Sequence, residues 1–153
     1  MKESKKAMNR RLGSVHKDFW NSVFKGRGID VGAGDDPISI AEVVPFDVQD
    51  GDANNLHHYF PAEHFDFLHA SQCLEHMHDP KLALDSWMKV VKKGGFAVIT
   101  VPSWELYEGM IWKSRYNPDH KSTWSLWQKG SPAPHHAFLP HWLHKNFPDL
   151  HVS

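Results

Sequence analysis

The stretch Gly28-Ile29-Asp30-Val31-Gly32-Ala33-Gly34-Asp35-Asp36-Pro37 constrains this chain more than any other. A short apolar run enters two closely spaced glycines, the pattern of a buried strand ending in a turn too tight for side chains. Such a turn after a first strand lets the backbone approach a ligand closely, and it belongs to α/β architectures. Two glycines alone specify little. The dinucleotide fingerprint asks for a further glycine where Pro37 stands, and Asp30 lies inside the strand, two residues before Gly32. A carboxylate there would end the strand aimed at the ligand crevice. It suits a positively charged group better than a pyrophosphate, because a buried carboxylate requires a donor or a cation. Pro37 and Asp30 together argue against a nicotinamide-dependent oxidoreductase.

The rest of the chain supplies the elements such a turn needs. Ser14 is placed to cap a helix carrying Val15, Phe19, Trp20 and Val23 on one face. Val43-Val44-Pro45-Phe46-Asp47-Val48 reads as a second strand, with Pro45 marking an edge or irregularity. Asp50-Gly51-Asp52-Ala53-Asn54-Asn55 is turn chemistry, and residues 64–70 form a third apolar run. Asp79-Pro80 starts a helix whose inward face is Leu84, Trp87, Met88 and Val91. Lys92 and Lys93 suit its C-terminal dipole end, Gly94-Gly95 stops it, and Phe96 to Pro102 is the clearest strand. Connections too long for hairpins predict an α/β fold with a mostly parallel sheet and flanking helices. Beyond residue 103 the pattern weakens, with helices expected near 123–129 and 139–146.

Composition excludes other classes. The 153 residues suit one domain, and a formal charge of −1 offers no field to hold nucleic acid or acidic membranes. Residues 1–13 read as a basic N-terminal tail or first helical turn carrying Lys2, Lys5, Lys6, Arg10 and Arg11, which acidic residues in the body balance. One cysteine, Cys73, rules out an internal disulfide framework and fits a reducing, cytoplasmic setting. No apolar run approaches the ~18–20 residues of a membrane span, and the N-terminus lacks a secretory apolar stretch. Charging all thirteen histidines would carry the net charge from −1 to +12, so mild acid should matter.

Asp30-Val31-Gly32-Ala33-Gly34 resembles the first motif of class I S-adenosylmethionine-dependent methyltransferases. The likeness continues in order through Phe46-Asp47, the segment 51–56, the strand 65–71, Leu74-Glu75-His76 with Asp79-Pro80, and Val90 to Phe96. It spans residues 26–102, and the Leu-Glu-His segment is similar to a signature of the family's small-molecule branch. The resemblance implies a Rossmann-like fold, with 26–102 as cofactor-binding core and 103–153 as acceptor-side region of a single domain spanning 14–153. It departs from the family at Asp36, where a small residue is usual and where Asp would cap a short following helix. It departs again between Asp47 and Asp52, where the usual helix and third strand do not fit. No terminal antiparallel strand pair is recognisable after residue 103, so the fold is a reduced one.

The resemblance implies S-adenosyl-L-methionine as cofactor and assigns roles by position. Asp30 would meet the methionine ammonium directly or through water, while Gly32, Ala33 and Gly34 would give close backbone approach. Asp47 would take the ribose hydroxyls, and Asp52 with Ala53 the adenine edge. Ser71 and Gln72 would lie near the methyl group. His76 is the candidate general base, its ordinary pKa being near neutrality. Glu75 and His76 orienting the loop or capping a helix, and Asp30 bonding its own turn, are the structural alternatives.

The acceptor expected is a small molecule or glycan, since Trp104, Tyr107, Tyr116, Asp119 and His120 follow the fifth strand with polar-tipped aromatics. Those aromatics would equally cover an open sheet or bury a contact between two copies. His135-His136 and His141-x-x-His144 lack nearby cysteine and any HExxH pattern, so no metal site is expected. A non-catalytic binding or partner domain of the same fold is the competing function.

Overall fold

Four parallel strands set the frame in the computed structural model, which describes residues 3–40, 42–127 and 130–152. The strands β1 (Gly28–Val31), β2 (Val43–Phe46), β3 (Phe65–Ser71) and β4 (Val91–Thr100) lie side by side in the order β2-β1-β3-β4. The chain passes from β1 outward to β2 and then returns across β1 to β3. The order thus reverses between β1 and β3, which opens a crevice at their carboxyl ends. The sheet is α/β and Rossmann-like, with helices on both faces, as expected.

Alternation in the strands sorts side chains between two cores. Ile29, Val31, Leu68 and Ala70 face helix α3 (Pro80–Val90), where Leu84, Trp87 and Val90 are fully or almost fully buried. Trp87 also donates its indole N–H to the Ala53 carbonyl at 2.8 Å, so its polar tip is satisfied inside the core. On the opposite face Phe67 packs with Met8, Val23, Phe24 and Ile38 under helices α1 (Glu3–Leu12) and α2 (Lys17–Val23). The Phe67 ring lies over Gly28, where a Cβ would come within 2.1 Å of it.

Several expectations change at element ends. The basic tail is helix α1 from Glu3 onward, held down by Met8 at 2% exposure, and Lys2 lies outside the described residues. Ser14 does not cap α2. Its hydroxyl donates to the Arg11 carbonyl, His16 takes the N-cap position, and Val15 points into solvent. Asp36 caps no helix, because the described residues 32–40 run as turns and irregular chain; its carboxylate faces Lys5 Nζ at 3.9 Å instead. Asp79 does cap α3, accepting from the amides of Lys81 and Leu82. That helix ends at Val90 rather than at the glycines. The amides of Glu63 and His64 take the carbonyls of Lys89 and Val90, and Val91 already pairs with Phe65. Lys92, Lys93, Gly94 and Gly95 therefore belong to β4, with Lys92 Nζ on Asp66 at 2.6 Å.

The C-terminal region forms a second, two-stranded sheet. Strands β5 (Ser122–Ser125) and β6 (His135–Phe138) run parallel, where the family's terminal pair is antiparallel. The helix expected near 123–129 is thus a strand over its first part, and residues 128 and 129 lie outside the described residues. Helix α4 (Leu139–Asn146) falls where expected. Trp124 enters the main core and meets Trp142 edge-on at 5.0 Å, so tryptophan does cover the sheet here.

Candidate functional site

The carboxyl ends of β1, β2 and β3 bring most of the sequence-predicted residues to one edge. Gly32 and Gly34 adopt φ of +73° and +56°, the left-handed region that glycine enters without strain. At Gly32 a Cβ would also stand 2.8 Å from Cys73 Cβ and Sγ, so the turn is pressed against the chain leaving β3. The Phe46 carbonyl accepts from the amides of Gly32 and Ala33, locking this turn to the end of β2. Asp47 follows at once. Its Oδ2 accepts from the Gly34 amide and its Oδ1 from the Val48 amide, which leaves each oxygen a further lone pair.

Asp52 caps the 3-10 turn Ala53–His58, accepting from the Asn54 and Asn55 side-chain amides and the Asn54 backbone N–H. These bonds hold its carboxyl below the usual carboxylate range. Its own amide donates to the Tyr59 hydroxyl, and the Ala53 carbonyl is taken by Trp87. The pair thus shapes the loop beside Asp47 and offers a ligand less than its position suggests. Ser71 is buried at the end of β3, and Gln72 takes φ of +56°, uncommon for a residue with a side chain and frequent at functional sites.

Asp30 does not face the crevice. It is wholly buried on the α1 side, with Oδ1 on His69 Nδ1 at 2.7 Å and Oδ2 accepting from the Ile38 amide at 3.0 Å. This is the alternative arrangement, a strand-end carboxylate bonded to its own turn. Behind it, Arg11 from α1 reaches His69 Nε2 at 3.5 Å and Thr100 Oγ1 at 2.7 Å. Arginine only donates, so His69 accepts at Nε2 and donates from Nδ1 to Asp30. Burial lowers the Arg11 pKa. Neither His69 nor Arg11 stands out in sequence; the one signal is a polar residue at an inward position of an otherwise apolar strand.

A second polar group lies just past Gln72. Glu75 is fully buried, and neither of its carboxylate oxygens has a hydrogen-bond partner. Burial, with the charge of Glu108 adding to it, pushes its carboxyl up to about 8. His120 stands 4.0 Å from it through Nε2 and bonds Glu108 Oε1 through Nδ1 at 2.6 Å. His76 bonds Asp119 through Nδ1 at 3.0 Å and meets the His120 ring edge-on at 4.8 Å. Burial lowers the His76 pKa, and the Asp119 bond partly opposes that. Sequence reading takes Glu75, His76, Asp119 and His120 separately, and nothing in local spacing joins them to one another or to Glu108. Cys73, buried beside Gly32, has its thiol pKa raised by burial first and then by Glu75, Asp47 and Asp30, so it packs rather than reacts.

The profile of a family described as a methyltransferase domain matches residues 5–142. Among solved structures, the chain is similar to a SAM-dependent methyltransferase, a possible histamine N-methyltransferase, from Thermotoga maritima. The identity is 21% and the TM-score 0.43, over 65% of this chain and 62% of that one. The chain thus spans less than two thirds of that protein's length. No curated protein matches at a significant level.

Proposed function

The chain belongs to the class I methyltransferase family, and we propose that it transfers the methyl group of S-adenosylmethionine to a small-molecule or glycan-like acceptor. One observation carries this reading. At the carboxyl ends of β1 and β2, beside the point where strand order reverses, left-handed Gly34 donates to the Asp47 carboxylate and left-handed Gly32 to the Phe46 carbonyl.

The residues fit the cofactor they would hold. Gly32 and Gly34 give the turn backbone without side chains on either side of the small, buried Ala33, and Cys73 leaves no space for a side chain at Gly32. Asp47 keeps one lone pair on each oxygen, the requirement for accepting from two neighbouring ribose hydroxyls. Asp52 and Ala53 shape the adenine side, and Ser71 with Gln72 borders the place of the methyl group. Asp30, buried beneath the turn, supports it through the Ile38 amide. The cofactor supplies an already activated methyl group on a sulfonium, so the chain's own work is orientation and exclusion of water. The exposed Tyr116, tilted against Tyr107 at 5.0 Å, gives the acceptor side an aromatic face. Cytoplasmic residence goes with this reading, supported by the single buried free cysteine. Among the described residues, no helix is long and apolar enough to cross a membrane.

The test is thermal unfolding with S-adenosylmethionine or S-adenosylhomocysteine. Ligand at 100 times its dissociation constant should add ~2.7 kcal/mol, and Asp47→Ala should shrink that gain. Well-folded protein that shows no shift at millimolar ligand would overturn the cofactor assignment. A second reading, a non-catalytic binding domain, is supported by the missing helix after the glycine turn and the inward-turned Asp30. Cofactor binding without transfer of labelled methyl to any small-molecule or glycan pool would select it.

A further inference from the structure

We propose that Glu75, His76 and His120 form a binding site for one divalent transition-metal ion, placed between the sheet's carboxyl edge and the C-terminal region. One donor atom from each residue lies within 4.8 Å of the others. Two come from the short turn Leu74–His76 after β3, and the third arrives from far along the chain, held there by the Lys121 amide bonding the Glu75 carbonyl at 2.7 Å. This site stands on its own residues and is independent of the methyl-transfer reading.

The first argument is the state of Glu75. A carboxylate with no exposure and no hydrogen bond on either oxygen is costly, and buried charges are kept where they are paired or bind metal. Glu108 is nearly as buried and also leaves one oxygen without a partner. The nearby lysine, Lys121, spends its ammonium on Asp119 instead. Among the described residues no lysine or arginine is buried beside these two acids, and a bound dication would satisfy oxygens that are left without a partner.

The second argument is the orientation of the histidines. His120 gives Nδ1 to Glu108, and His76 gives Nδ1 to Asp119. Metal-binding histidines are held in this way, one ring nitrogen donating to a carboxylate so that the other presents its lone pair. The Nε2 of His120 is the atom that faces Glu75. Two imidazole nitrogens and one carboxylate oxygen favour zinc or a neighbouring first-row ion over magnesium or calcium, which prefer oxygen alone. Tetrahedral bonds of about 2.0–2.1 Å put donor atoms about 3.3 Å apart, so donor atoms up to 4.8 Å apart close by up to about 1.5 Å on binding. Three protein ligands leave a fourth position for water or a further ligand. Coordination would use the lone pair that a general base needs, so a metal ligand and a proton acceptor are mutually exclusive roles for His76.

The experiment titrates chelator-treated full-length protein with Zn²⁺ by calorimetry and with Co²⁺ by visible absorption. One ion per chain is expected, with cobalt bands of a four- or five-coordinate site and a raised Tm on zinc addition. Glu75→Gln and His120→Ala should each weaken binding at least ~10-fold, while His135→Ala should not. No ion bound at millimolar zinc, or binding that Glu75→Gln and His76→Ala leave unchanged, would overturn the site. Should His120→Ala fail to fold, the imidazole resonances of the unaltered protein decide: zinc must shift those of His76 and His120, and their failure to move rejects the proposal. S-adenosylhomocysteine binding, measured on the metal-free protein, separates failure of this site from failure of the cofactor assignment.

Discussion

Two buried acid–histidine groups lie near the same sheet edge, and they differ in one respect. Asp30 and His69 are wholly buried, and each Asp30 oxygen has a bonding partner within the fold. Glu75 is equally buried beside His120, yet its oxygens bond nothing. The first group closes on itself and fastens α1, β1, β3 and β4 together. The second leaves electrostatic and hydrogen-bonding capacity unspent, as a group with a further partner does. Burial alone therefore does not separate scaffold from site; satisfaction of the buried atoms does.

The contrast is open to breaking by substitution. Asp30→Ala strands the His69 Nδ1–H and the Ile38 amide, two buried donors, and should cost about 2–6 kcal/mol in urea unfolding. A loss under about 1 kcal/mol, the worth of an ordinary hydrogen bond, would show that the closed network carries little. Glu75→Met, similar in volume, should be neutral or stabilising by about 1–4 kcal/mol in metal-free protein, because it removes an uncompensated buried acid. A loss matching that of Asp30→Ala would erase the difference between the groups.

The smallest effect belongs to an exposed carboxylate. Asp66 is held below the usual range by the Lys92 ammonium and then the Arg27 amide. Its folded pKa being lowered, its contribution is present above the ordinary carboxylate pKa and is lost as pH falls through the folded value. Acid titration of Tm should show a slight decline at the low end of the carboxylate range that Asp66→Asn lacks.

The framework was legible because its signals are local. β1, β2, the third strand, the capped start of α3 and helix α4 each follow from periodicity or cap chemistry within a few residues. What escaped depends on partners distant in sequence. Helix α3 stops at Val90 because residues 63 and 64 take its last carbonyls, which no reading of Lys92 to Gly95 reveals. Strand β5 forms because the Trp104 amide and β6 pair with it, whereas its own sequence fits a helix as well. At the site, Gly32, Gly34 and Asp47 were readable from the turn they make. The inward turn of Asp30 was not, since it depends on His69, and the gathering of Glu75, His76 and His120 depends on how the C-terminal region returns.

Arg11 near the end of α1 touches His69, His69 holds Asp30, and Asp30 holds the Ile38 amide just beyond the glycine turn. Helix α1 therefore tethers the ligand loop. Whatever loosens α1 acquires a lever on binding without touching the crevice.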